Sequence, residues 1–191
     1  TCWLGNEDCD AALFSKPSYV TRLARKTDAA ELAELVIANK AFQKPYEPYR
    51  EPSYYSEAGQ RFFIERQLEQ HAAGTALPLL ITDDDRIVGR ITLSGVVRGP
   101  MQSGTVGYWV SEGDNARGLA TLALHEMLHS AFDTMQLHRV EAGTLTDNLR
   151  SQRVLEHNGF ARYGFAPRYL YIDGDWRDHI LFQRINSSWT A

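Results

Sequence analysis

The sequence predicts one mixed α/β domain, on three observations. Apolar or alternating runs of strand length are interleaved with longer segments of helical period, no stretch repeats, and no linker-like segment divides the 191 residues. A chain of this length can bury one substantial core and is short for two full domains. At 43% hydrophobic and 23% charged it has the balance of an ordinary globular protein. The net charge of −4 argues against a broad nucleic-acid footprint, no run approaches a membrane span, and the start lacks a basic region followed by an apolar one. No direct nucleic-acid binding, no membrane attachment and a cytoplasmic location are therefore expected. Cys2 and Cys9 precede the first convincing strand, so a disulfide framework is not expected, although one bridge between them is open.

Residues 1–18 have no clear period and read as an N-terminal extension; the domain is placed at 19–186, with a C-terminal tail at 187–191. Residues 19–25 alternate and give a first strand, after which Asp28 and Glu31 form a capping box ahead of a helix marked by Leu32, Leu35 and Val36. Residues 43–55, QKPYEPYREPSYY, carry three prolines, which exclude regular structure, and four tyrosines. This loop reads either as a cover packed on the core or as a substrate wall. In the second reading Tyr46, Tyr49, Glu47 and Glu51 suit a cationic amine. A second helix runs from Ser56 through Phe62, Phe63 and Leu68 to Gly74. A hairpin follows, 77–82 and 86–93 about an Asp-rich turn, and then a strand at 104–110. A central helix extends from Gly118 to about Met135, its apolar residues covering most of its sides. Residues 138–146 form the next strand, where a buried Glu141 must be paired or titrate high. Asp147 or Asn148 caps a helix that closes at Asn158-Gly159. Two extended segments, 160–165 and 168–172, lead to the Asp173-Gly174 turn and a final strand at 176–185.

The richest stretch is GYWVSEGDNARGLATLALHEMLHSAF, beginning at Gly107. A strand stops in a small-residue turn and restarts as a helix, which leaves backbone N–H groups unpaired at the positive end of a helix dipole, an anion cradle. It is not a nucleotide P-loop, because no Lys-Ser/Thr follows the glycine, and the dinucleotide glycine spacing is absent. The same helix holds His125-Glu126-Met127-Leu128-His129, an H-E-x-x-H spacing that fits two zinc ligands one turn apart. No third ligand follows in sequence, and the alternative is a polar helix stripe of His125, Glu126, His129 and Asp133.

Asn115-Ala116-Arg117-Gly118-Leu119-Ala120 resembles the pyrophosphate loop of the GNAT superfamily of acyl-CoA N-acyltransferases, whose pattern is Gln/Arg-x-x-Gly-x-Gly/Ala; Asn115 departs from the usual first residue. Asn148-Leu149-Arg150-Ser151 with Gly159-Phe160 is similar to the family's N-x-x-S…G-F helix. Lys44-Pro45-Tyr46-Glu47-Pro48, Val96-Val97-Arg98-Gly99, Tyr169-Leu170, Asp173-Gly174 and Trp176-Arg177-Asp178-His179 resemble the ribosomal-protein-alanine N-acetyltransferase subfamily. The resemblance implies the GNAT fold, a mostly antiparallel twisted sheet of about six to seven strands, splayed at its centre and flanked by about four helices.

It also implies acetyl-CoA as co-substrate and no metal. The main-chain amides of Asn115, Ala116, Arg117, Gly118, Leu119 and Ala120 would hold the pyrophosphate, with Thr121 adding a hydroxyl. The pantetheine arm would lie along Tyr108, Trp109 and Val110 and bond to Asn148. Ser151 stands at the family position for a hydroxyl that donates to the leaving sulfur. Better-matched relatives carry a Glu three residues after Gly-Phe. Here that position is Tyr163, a poor base at an ordinary phenol pKa near 10, so Glu47, Glu51, Glu141 or a water relay would substitute. The acceptor is expected to be a protein N-terminus; a small amine or antibiotic is the alternative. A zinc hydrolase through His125 and His129 and a non-catalytic acyl-CoA-binding module are more distant readings. A homodimer is compatible with the resemblance, and the residues do not specify it.

Overall fold

The computed structural model describes residues 20–190, so the N-terminal extension with both cysteines lies outside the described residues. Its centre is a seven-stranded sheet of order β1-β2-β3-β4-β5-β7-β6. The strands are β1 (Thr21–Leu23), β2 (Leu77–Asp83), β3 (Arg86–Val97), β4 (Ser103–Val110), β5 (Arg139–Leu145), β6 (Ala161–Ile172) and β7 (Asp175–Ile185). All neighbours are antiparallel except β4 and β5, which are joined by the crossover helix α4 (Leu119–His129). That parallel pair is brief, running from Ser103 opposite Arg139 to Thr105 opposite Glu141. Beyond it residues 106–110 and 142–145 diverge, and the expected central splay is present.

Helices cover both faces because both faces are apolar. α4 and α5 (Leu149–His157) pack on one side, where Ile91, Leu93, Leu124, Met127, Val140 and Phe182 form the main core. α1 (Ala29–Ala38) and α3 (Glu57–Ala72) close a smaller core on the other side with Leu32, Ile64, Leu80 and Ile87. Short α2 (Lys40–Gln43) follows α1. Phe182 lies in register between Ala142 and Arg162 and is only 2% exposed. Phe182→Ala should therefore destabilise the fold by about 3–5 kcal/mol, read from urea unfolding.

Four local expectations change. Asp28 and Glu31 do not form the expected box: Asp28 accepts from the Arg25 amide at 2.7 Å and takes both nitrogens of Arg22, whereas Glu31 accepts from the Ile87 amide at 2.6 Å. The two carboxylates fasten α1 to β1 and β3 instead of capping it. The proline-rich loop contains one turn of 3-10 helix, Pro52–Tyr55, since a proline at the first helical position gives up a donor that would be unpaired anyway. The central α-helix stops at His129 and continues as a π-helical turn, Ser130–Thr134. The two extended segments before the last turn are one strand, β6, interrupted where its register with β7 slips between Ala166 and Leu170.

Two of the H-E-x-x-H residues, Glu126 and His129, have structural partners. Glu126 accepts from the Val20 amide at 2.9 Å and from the Thr21 hydroxyl, which ties β1 to α4, and His129 Nδ1 lies 2.5 Å from Asp133 Oδ2. In the tail, Trp189 meets His138 edge to face and its indole donates to the Gln136 carbonyl at 2.9 Å.

Candidate active site

The turn between β4 and α4 has the geometry of an anion cradle. Ala116 and Gly118 both adopt left-handed backbone, at φ 62° and 79°, which turns successive amides to one side. Gly118 is the cap of α4 and offers no side chain to the helix's first donors. Among the described residues the amides from Ala116 to Thr121 find no protein acceptor. Asn115 braces the turn from beneath, its Nδ2 donating to the Ser111 carbonyl at 2.9 Å.

Charge fixes the same turn on its outer side. Asp114 accepts from Arg86 at 2.7 Å and Arg117 at 3.1 Å, and Arg117 also meets Asp83 at 2.7 Å. The Arg117 side chain is thus committed to two carboxylates and does not line the cleft, leaving only its amide for a ligand. The hydrogen bond from Arg86 holds the Asp114 carboxyl below its ordinary 3.8, with Arg117 adding to it and burial opposing. For Asp28, burial pulls upward, but the Arg22 and Arg25 donors still hold it below 3.8. A carboxyl depressed in the folded state stabilises above its unfolded pKa and loses that contribution as pH falls. Stability should therefore be flat from neutrality down to about pH 4 with respect to these two groups and then fall, and denaturant titrations across pH 2–7 would show it.

From the cradle a cleft of about 690 Å³ runs along α4 and α5, lined by Ala116, Gly118, Leu119, Ala120 and Thr121 on one wall and by Arg150, Arg153 and Val154 on the other. It continues into a smaller space of about 140 Å³ bounded by Tyr108, Trp109, Val110, Asn148 and Ser151. Phe42 and Tyr46 roof both parts. All of the residues expected to meet the donor line this path except Arg117. Arg150, Arg153 and Phe42 were not legible as site residues, because nothing in their spacing shows that the start of α5 and the short α2 both face the first turn of α4.

At the narrow end Tyr108 and Ser151 form a pair. The Tyr108 hydroxyl lies 3.0 Å from Ser151 Oγ and 3.2 Å from the Ser151 carbonyl. Burial pushes the Tyr108 phenol up to about 12, with the Ser151 contact opposing, so it is a proton donor at neutral pH. Asn148 caps α5, its Oδ1 accepting from the Ser151 amide at 3.1 Å, which sets the direction of the serine side chain.

The carboxylate candidates lie elsewhere. Glu141 stands opposite Thr105 at the closed end of the splay and is half-buried instead of buried as expected, paired with the Tyr163 hydroxyl at 3.0 Å and Arg139 at 3.6 Å. Burial, then the hydrogen bond and charge of Glu141, raise the Tyr163 phenol above 10.0, so it stays protonated and donates. Neither residue lines the Ser151 space. Glu47 pairs with Arg50 at 3.5 Å, and Glu51 is exposed.

A separate groove of about 730 Å³ lies on the other side of the 43–55 loop, between it and the β6–β7 turn. Tyr46 thus serves the donor side of the loop, and Glu47 and Tyr49 line the groove with Lys40, Arg50 and Tyr171. A Lys44–Asp173 contact of 3.2 Å joins its two banks. Arg90 supports the loop from below: the residue is 8% exposed, and its guanidinium sits 4.7 Å from the Phe63 ring centre and donates to the Tyr54 hydroxyl at 2.5 Å. Desolvation lowers its pKa.

A splayed sheet with an orphaned amide cradle at the end of its parallel strand defines an acyltransferase scaffold. The family model for the acetyltransferase (GNAT) domain matches residues 20–161, and this chain belongs to that family. It is 34% identical over 173 residues, 90% of this chain and 89% of the relative, to the [ribosomal protein uS5]-alanine N-acetyltransferase of Escherichia coli K12. Among solved structures, the ribosomal-protein-S5-alanine acetyltransferase of Vibrio fischeri superposes with a TM-score of 0.87 at 30% identity, covering 90% of this chain and 94% of that one. RimJ of Mycobacterium smegmatis, in complex with CoA-disulfide, superposes at 0.84 and 33%, covering 86% and 80%. The protein is an N-acetyltransferase, and the expected fold is the observed one.

Proposed function

We propose that the chain transfers the acetyl group of acetyl-CoA to the N-terminal α-amine of a protein, a ribosomal protein of the alanine-bearing type being the leading acceptor. One observation carries the choice of amine: the space around Ser151 is lined by no carboxylate among the described residues. An α-amine of pKa near 7.8 is about a tenth neutral at pH 7, whereas a lysine amine near 10.4 is neutral in about one molecule in two thousand. A site without a carboxylate base suits the former. Relatives named for alanine acetylation support the same reading.

Acetyl-CoA, when bound, supplies a thioester. The amides of residues 116–121 hold its diphosphate, and Arg150 and Arg153 add positive charge beside it. Unpaired backbone of β4 takes the pantetheine arm like an added strand. Ser151 Oγ, backed by the Tyr108 hydroxyl, protonates the departing sulfur. The loop groove receives the acceptor chain. A cytoplasmic location fits this reading, and among the described residues no helix is long and apolar enough to cross a membrane. A homodimer is part of the proposal: β6 is a twelve-residue edge strand with Tyr163, Phe165 and Tyr171 exposed.

The test is a matched competition. Peptides with a free N-terminal alanine and peptides with only a free lysine side chain are incubated with labelled acetyl-CoA and read by mass spectrometry. Preferential α-acetylation is expected; faster acetylation of lysine would overturn the proposed acceptor.

A further inference from the structure

The reaction needs a group to take the proton from the attacking amine; Glu47 is held by Arg50, and Glu141 is held by the Tyr163 hydroxyl. The geometry points to His179 of β7 as that proton acceptor, an inference that rests on the amine-acetylating reading above. His179 is cross-strand from Leu145 of β5, one strand from the gap between β4 and β5. Its Nδ1 lies 3.0 Å from the Arg177 carbonyl, which can only accept, so Nδ1 carries the hydrogen and Nε2 is the free lone pair. The ring turns its other edge toward Gly143: Cδ2, the atom bonded to Nε2, is 3.6 Å from where a Cβ on Gly143 would stand. Gly143 is exposed and has no side chain, so its own position leaves that edge uncovered. The His179 side chain as a whole is buried, yet Nε2 has no protein partner among the described residues and is not among the polar atoms sealed from solvent.

The surrounding motif is built to hold this imidazole. Where β6 slips its register, Arg168 adopts φ 50° and its amide donates to Asp178 Oδ1 at 2.8 Å. The bulge so fixed lays Tyr169 against His179 at 5.2 Å between ring centres and brings it to 3.6 Å from the same Gly143 position. Arg177 meets Asp147, the residue before the Asn148 cap, at 3.3 Å, which couples β7 to the helix that carries Ser151. In Trp176-Arg177-Asp178-His179, Asp178 thus shapes the roof, Arg177 ties the site to α5, and His179 faces the gap.

In the transfer the amine nitrogen bonds to the thioester carbonyl carbon and the carbon–sulfur bond breaks. The nitrogen's proton passes to Nε2 and then to solvent, while the sulfur leaves as a thiol with the Ser151 proton, which is replaced from solvent through Tyr108.

His179→Asn tests the assignment, because its side-chain amide can still donate to the Arg177 carbonyl while the Nε2 lone pair is gone. Assays use whichever amine the wild-type protein acetylates fastest, so a wrong acceptor shows as a different wild-type preference and leaves the test of His179 intact. The expected result is a fall in kcat of about 100-fold or more, with acetyl-CoA affinity within threefold of wild type. Free imidazole should restore part of the rate to His179→Gly. Activity within threefold of wild type in His179→Asn would overturn the assignment, and so would a loss that affects donor affinity equally or that imidazole does not relieve.

Discussion

Gly118→Glu is expected to abolish acetyl-CoA binding, raising Kd by about 100-fold or more in calorimetric titration, because a carboxylate would stand at the mouth of the amide cradle. The side chain itself has room: no heavy atom lies within 4 Å of the added Cβ position. Backbone strain is the competing explanation, since Gly118 sits at φ 79°. Gly118→Asn separates the two, as asparagine tolerates left-handed backbone and brings no charge. Binding within tenfold of wild type in Gly118→Asn, with loss in Gly118→Glu, would assign the effect to charge. Equal loss in both would assign it to strain.

Ser151→Ala is expected to lower kcat by about 10–100-fold while leaving the affinity for acetyl-CoA nearly unchanged, because the hydroxyl acts on the leaving sulfur and not on the diphosphate. Thiol release followed by a chromogenic disulfide reads the rate directly. Tyr108→Phe should give a smaller loss, since the ring and its packing remain. The double variant should lose little more than Ser151→Ala alone, because the two hydroxyls, 3.0 Å apart, act on one proton. Additive losses would mean that Tyr108 acts independently, and an unchanged rate in Ser151→Ala would remove the serine from the mechanism.

What was legible in the sequence follows from what local physics controls. The cradle could be read because a strand, a small-residue turn and a helix are each local, and Gly118 and Ala116 do adopt the left-handed backbone that such a turn requires. The helix cap at Asn148 was legible for the same reason. The fates of side chains with several possible partners were not. Glu31 had a capping role in sequence and a long-range one in space, and the amide of Ile87 won it. Arg117 read as part of the phosphate loop but is taken by Asp83 and Asp114, the first of them 34 residues away. Glu126 looked like half of a zinc motif until the Val20 amide, 106 residues earlier in the chain, claimed it. Tyr108 was placed on the donor strand, yet its hydroxyl contact with Ser151 depends on how α5 docks, which no periodicity reports. Nor could the sequence reveal that Asp178 bonds the amide of Arg168, because the slip between β6 and β7 exists only once the hairpin has formed.

A crystal structure of the protein with bound acetyl-CoA is the most direct measurement of the central claim. The diphosphate is predicted to lie on the amides of residues 116–121, with the pantetheine arm between residues 106–110 and 142–145 and the thioester sulfur within hydrogen-bond reach of Ser151 Oγ. A cofactor bound elsewhere, with those amides facing only water, would contradict it.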